Sequence, residues 1–132
     1  MATITEHLPA DNPPDLPLAN ATTVVRIRKE NGGYVAYPKE VHVEPGVFAN
    51  LIFVLENAPR NAQLQKMIIR EESDGTGKPN PFSLPCGYRV LLLNDDNTVP
   101  ANHGRYFSYK MYVQEGSEVL EVDPGIANDP PQ

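Results

Sequence analysis

Apolar and polar residues alternate in short runs along most of this chain, and clusters of turn formers cut one run from the next. In "EVHVE", Val41 and Val43 take one side while Glu40, His42 and Glu44 take the other, the period of two that a half-buried strand requires. "RYFSYKMYV" sorts Phe107, Tyr109, Met111 and Val113 to one face and Tyr106, Ser108, Lys110 and Tyr112 to the other. "LIFVLE" is apolar on both faces and reads as a central strand. These patterns predict strands over 22–29, 34–37, 40–44, 49–56, 64–71, 87–93, 105–114 and 117–123. "RNAQLQKMIIREE" comes nearest to a helix, but its neighbours are strands and a strand is preferred there. Between the runs lie "NGG", "PG", "APRNA", "SDGTGKPNP", "NDDNTVPANHG" and "EGS", all turn chemistry. In "VQEGSEVLEV", Glu115-Gly116 is expected to close a tight hairpin, with Gly116 at positive φ. The fold class expected is all-β, an antiparallel immunoglobulin-like β-sandwich of seven or eight strands.

Length and proline placement divide the chain. At 132 residues it suits one domain that buries about two-thirds of its unfolded surface. Of 14 prolines, seven lie in the first 20 and last nine residues, and the others fall between apolar runs, where a missing N–H does least harm. The division expected is a Pro-rich acidic N-terminal arm over 1–20, a sandwich over 21–123 and an acidic Pro-rich C-terminal arm over 124–132. The ending "EVDPGIANDPPQ" places Ile126 between two turn-forming groups, as an anchor would be, and predicts order to about Asp129. Leu8, Leu16 and Leu18 could anchor the N-terminal arm in an extended form. Arms of this kind suggest edge covering or exchange between subunits, hence a homo-oligomer.

Charge and chemistry narrow the function classes. Residues 1–20 hold three carboxylates and 111–132 hold five, with no Lys or Arg in either, so the body is net +2 within a total of −6. A nucleic-acid partner is not expected, because phosphate binding requires a concentrated basic face. The first 20 residues lack both a base and an apolar core of signal-peptide type, and no apolar run approaches the ~18 residues of a membrane span. A soluble, cytoplasmic protein without a membrane partner is the expectation. Histidine occurs only at positions 7, 42 and 103, with no ligand spacing, and "ESDGTGKPN" and "NDDN" lack the regular carboxylates of a calcium loop. Cys86, alone between Pro85 and Gly87, reads as a small core residue rather than a nucleophile, although His103 could fold near it. Neither a nucleophile elbow nor a complete phosphate loop is present. No catalytic, cofactor-binding or metal residue is therefore assigned, and an enzyme is not expected.

Two resemblances add to this. "YPKEVHVEPGVFANLIFVLEN" resembles the opening strands of cupredoxin-like domains through Pro38, Val41, Val43, Gly46, Phe53 and Asn57, which implies a cupredoxin-like variant of the sandwich. The copper ligands of those domains have no counterpart in "APRNAQLQ" or in "YVQEGSEVLEV", so the likeness implies fold alone. Glu44-Pro45, Asp123-Pro124 and the "DPGIANDP" ending resemble the DP-EP family, small bacterial proteins of unknown function. The function expected is a non-catalytic interaction or binding module that could self-assemble through its terminal arms; Tyr106 and Tyr112 on the outer face either pack under a tail or an adjacent loop, the reading preferred, or form a contact surface. The alternative is a small-molecule or carbohydrate-binding domain that uses the loops 73–86 and 94–105.

Overall fold

A computed structural model describes residues 4–7, 21–44, 47–71, 82–83, 89–95, 104–123 and 125–129. Among them the chain forms strands β1 (Ile4–His7), β2 (Ala21–Glu30), β3 (Gly33–Tyr37), β4 (Glu40–Val43), β5 (Ala49–Glu56), β6 (Ala62–Glu71), β7 (Phe82–Ser83), β8 (Val90–Asp95), β9 (Arg105–Glu115), β10 (Glu118–Val122) and β11 (Gly125–Asn128). Eight of these match the eight predicted, with ends displaced by at most three residues. The other three, β1, β7 and β11, bring the total above the seven or eight expected. They lie where arms and a loop were read.

The strands build two sheets, one ordered β1-β6-β9-β11-β4 with β10 also on β9, the other β3-β2-β5-β8-β7. Packed face to face they make a β-sandwich. The sheets are mixed rather than wholly antiparallel, since β2 runs parallel to β5 and β11 parallel to β4. Connectivity explains the first case. β2 turns into β3 through Asn31 and Gly32, both at positive φ as a two-residue primed turn requires. The chain then crosses to the other sheet for β4 and crosses back for β5, which arrives in the direction of β2.

Alternation decides what is buried. Val25, Ile27, Leu51, Phe53, Leu91 and Leu93 face inward from one sheet, and Met67, Ile69, Phe107, Tyr109, Met111 and Val113 from the other. Phe53 meets Tyr109 edge to face across the sandwich, with ring centres 5.2 Å apart. In β6 the inward residues are Ala62, Leu64, Met67 and Ile69, a sequence of spacings that contains one step of three. A bulge between Leu64 and Lys66 absorbs the extra residue and keeps both Leu64 and Met67 in the core. The β9–β10 hairpin closes over Gly116 and Ser117, one residue beyond the expected pair, with Gly116 at φ 59°.

The ending of the chain is where the structure departs most from an arm attached to a finished domain. β10 and β11 pair with the same edge of β9 in the same register, Val122 opposite Met111 and Gly125 opposite Ser108. On its other side β11 pairs with β4, and the amides of Gly125 and Asp129 donate to the carbonyls of Lys39 and Val43 at 2.8 and 2.9 Å. Residues 125–128 are thus an interior strand, and Ile126 is fully buried in the common core. Of residues 1–20, those described form β1, an edge strand on β6. No helix long and apolar enough to cross a membrane occurs among the described residues.

Because Ile126 has core packing on every side, Ile126→Ala should cost about 2–5 kcal/mol, read as a lower urea midpoint at unchanged slope. A loss under about 1 kcal/mol would mean that the site is not packed as described.

Candidate functional site

Inward positions at one end of the sandwich are occupied by polar groups. The bulge that keeps Met67 and Ile69 inside also turns Glu71 inward, and the alternation of β9 does the same for Arg105. The two form a buried two-point ion pair, Nε to Oε2 at 2.6 Å and Nη2 to Oε1 at 2.7 Å, with the guanidinium 5.2 Å from the Phe107 ring centre. From the end of β11 the Asn128 amide donates to Asp95 Oδ1 at 3.0 Å, which joins the two sheets. The Asn94 amide donates to Asn50 Oδ1 at 2.8 Å. Glu71, Asp95 and Arg105 are also the residues from which segments 72–81 and 96–103 leave and return. This clamp holds the stems of both predicted binding loops. Alternation carried to the strand ends would have revealed it, since the inward parity of β6, β8 and β9 falls on Glu71, Asp95 and Arg105.

A second clamp closes the opposite end. Lys29 donates to Glu115 Oε1 at 2.7 Å and the Tyr34 hydroxyl donates to Glu115 Oε2 at 2.5 Å, so a cross-strand pair from one sheet grips the last residue of β9 in the other. Those two donors, Lys29 above all, hold the Glu115 carboxyl below its usual range, while burial and the carboxylate push the Tyr34 phenol up. On the surface, His42 lies 2.7 Å from Glu40 Oε2 and 3.4 Å from Asp129 Oδ1. These carboxylates, Asp129 first, raise its pKa above the ordinary 6.5.

A groove runs across the outer face of the six-stranded sheet. Register explains its shape. Ile4, Arg70, Ser108, Gly125 and Glu40 are successive partners in one row across five strands. Ser108 and Gly125 are the smallest outward residues of that row and form a low floor. Tyr106 leans over Gly125, where any Cβ would collide with its ring. Ile68 and Lys110 form the next row, and Asp123 follows β10. The space is about 280 Å³ and includes Tyr109 in its wall. Ile4 remains 65% exposed there and Tyr106 37% exposed, an aliphatic and an aromatic surface side by side. Arg70, Lys110 and Asp123 add charge of both signs.

Of the residues singled out from sequence, Tyr106 forms part of this groove, while Tyr112 is half-buried on the same face with Lys66 5.3 Å above its ring. His42 stands on the polar side of β4, hydrogen-bonded and away from the groove. Cys86, His103 and most of the loops 73–86 and 94–105 lie outside the described residues. Among the described residues no group of three or more His, Cys, Asp or Glu is arranged to hold a metal. Two features of the groove were not found from sequence, Arg70 and the Ser108–Gly125 floor. Both follow only from which strands are neighbours.

Glu71→Ala would strand the Arg105 guanidinium in the core and should cost about 3–5 kcal/mol in urea unfolding, against under about 1 kcal/mol for Glu121→Ala in the exposed pair with Lys110. Equal effects would contradict the buried geometry. The raised pKa of His42 means that its pairing stabilises fully below pH 6.5 and fades as pH rises through the folded value. His42→Ala should therefore lower stability at pH 5.5 by under about 1 kcal/mol and have less effect at pH 8.5, in paired melts. Comparison with protein-family models and with curated proteins found no match for this chain.

Proposed function

We propose that the protein is a non-catalytic binding module whose contact surface is the outer face of the six-stranded sheet, centred on the groove beside Tyr106. The observation that carries this reading is the groove itself, in which exposed Ile4 and Tyr106 flank a floor made low by Ser108 and Gly125. Concave sites that combine apolar walls with a few placed polar groups are the usual form of small-ligand recognition. The face lies on paired strands rather than on loops, so its geometry is held by the ladder beneath it. A soluble, cytoplasmic setting and kinship with the DP-EP proteins belong to the same proposal, and that kinship implies a β-sandwich without adding an activity.

The clamp of Glu71, Arg105, Asp95 and Asn128 favours a second reading, in which the loops 73–86 and 94–105 bind a small molecule or carbohydrate. A buried network at the stems of two loops is a means of fixing them. For self-assembly, residues 125–128 are already paired on both sides within their own chain, so among the described residues of the two terminal segments it is β1 that offers an edge to a second copy.

Thermal shift against a panel of small carboxylates, sugars, nucleotides and short peptides tests the main reading. A ligand at one hundred times its Kd should stabilise by roughly 2.7 kcal/mol, a rise of several degrees. Tyr106→Ala should abolish that rise while the melting temperature without ligand stays close to the parent's. Shifts that persist in Tyr106→Ala, or a panel without any shift, would contradict the groove reading.

A further inference from the structure

We propose that the outer face of the five-stranded sheet docks a second copy of this chain, about a two-fold axis that runs across the strands. This goes beyond the groove, which lies on the other sheet, and is independent of it.

Strands that are apolar on both faces are the first observation. β5 sends Leu51, Phe53 and Leu55 into the core, yet Ile52 and Val54 point the other way. β8 likewise buries Leu91 and Leu93 and turns Val90 and Leu92 outward. Such strands belong in sheets covered on both sides, whereas a sheet with one wet face alternates apolar with polar. Among the described residues the six-stranded sheet covers only the inner face.

Register gathers the outward side chains into rows. Val24, Ile52 and Leu92 are successive partners across β2, β5 and β8. Tyr37, Arg26, Val54 and Val90 form the next row, from β3 to β8. Val24 is 44% exposed, Tyr37 42% and Val90 38%, while Ile52, Val54 and Leu92 are half-buried. A contiguous apolar patch on the water side of a sheet marks an interaction site.

Charge decides the occupant. On one side of the two apolar rows lie Thr22 and Asn50, which are neutral, and on the other Arg28 and Glu56. Arg26 and Arg28 share the Glu56 carboxylate at 3.8 and 3.5 Å. An interface between identical copies must be self-complementary. A patch with one charged and one neutral polar end meets that condition when half a turn brings unlike ends together. With the axis between the two apolar rows, Ile52 lies on the copy's Val54 and Leu92 on its Val90. Val24 meets the alkyl stem of the copy's Arg26, Asn50 faces its Glu56, and Thr22 faces its Arg28. No like charges are opposed.

The face is also large enough. Four strands at about 4.8 Å and the eight residues of β5 at about 3.3 Å outline roughly 19 by 26 Å, on the order of 500 Å² in plan. Side-chain relief adds to this, and specific pairs bury about 600–1,000 Å² on each partner.

Light scattering on the full chain at roughly 100 μM should give twice the chain mass, a concentration suited to an interface near the lower size limit. Val24→Lys sets a positive charge against the copy's Arg26 and should weaken the dimer by at least about tenfold. Val24→Glu offers the same guanidinium an opposite charge and should weaken it by under about threefold. Val24 is exposed in the single chain, so both variants should melt with the parent at low concentration, where all are monomers. Ile4→Lys on β1 and Tyr106→Ala, both on the other sheet, should leave the mass unchanged. A parent that stays monomeric, a dimer indifferent to Val24→Lys, equal weakening by Lys and Glu, or a dimer that Ile4→Lys takes apart would each overturn the proposal.

Discussion

Hydrogen bonding of β11 on both of its edges is the constraint on which the rest depends. The six-stranded sheet is not complete until the last described strand has been inserted between β9 and β4. Without it, β4 has no partner in that sheet, the lower half of the β9 edge is open, and the place of Ile126 in the core is empty. The strand is only four residues long and its sequence is barely apolar. It holds its position because its backbone groups have partners on two sides and its two inward side chains, Ile126 and Asn128, reach a core and a polar clamp. Contacts between residues 40 and 126 are long in sequence, and a fold that waits for them pays loop-closure entropy before it is rewarded.

Binding and closure are coupled through the same strand. Gly125 opens β11 and also lowers the floor of the groove, with Tyr106 laid over it. At the other end of β11, Asn128 ties the six-stranded sheet to Asp95 in the five-stranded one, beside the Glu71–Arg105 pair. The surface proposed to bind and the clamp that steadies the two loop stems are therefore built on the two ends of one short segment. A buried ion pair contributes little net stability when compared with apolar packing, but it admits one geometry only. That fits its place at the paired ends of β6 and β9, which face the end of β8 in the other sheet.

Much of the fold was legible because alternation is a local signal. Val41 and Val43, or Phe107 through Val113, announce a buried face without knowledge of any partner strand. The parallel pairings of β2 with β5 and of β11 with β4 were not legible, because they depend on the chain crossing between sheets, which no short window records. β11 escaped for a related reason. "DPGIANDP" has one apolar residue among turn formers, and its β-structure comes from neighbours on both edges rather than from its own propensity. For the site, the outward position of Tyr106 was readable from the alternation of β9. Arg70, Ser108 and Gly125 become a row only once β6, β9 and β11 are side by side.

Hydrogen exchange at the amides of Gly125 and Asp129 tests the central claim most directly. Gly125 donates to the carbonyl of Lys39, just before β4, and Asp129 to that of Val43, the last residue of β4, and an inserted strand opens only when the sheet opens. The account predicts protection close to that of Leu51 and Phe53 in the central strand β5. Exchange at the rate of an unprotected chain, with β5 still protected, would show the ending to be a loose tail and would take the groove floor with it.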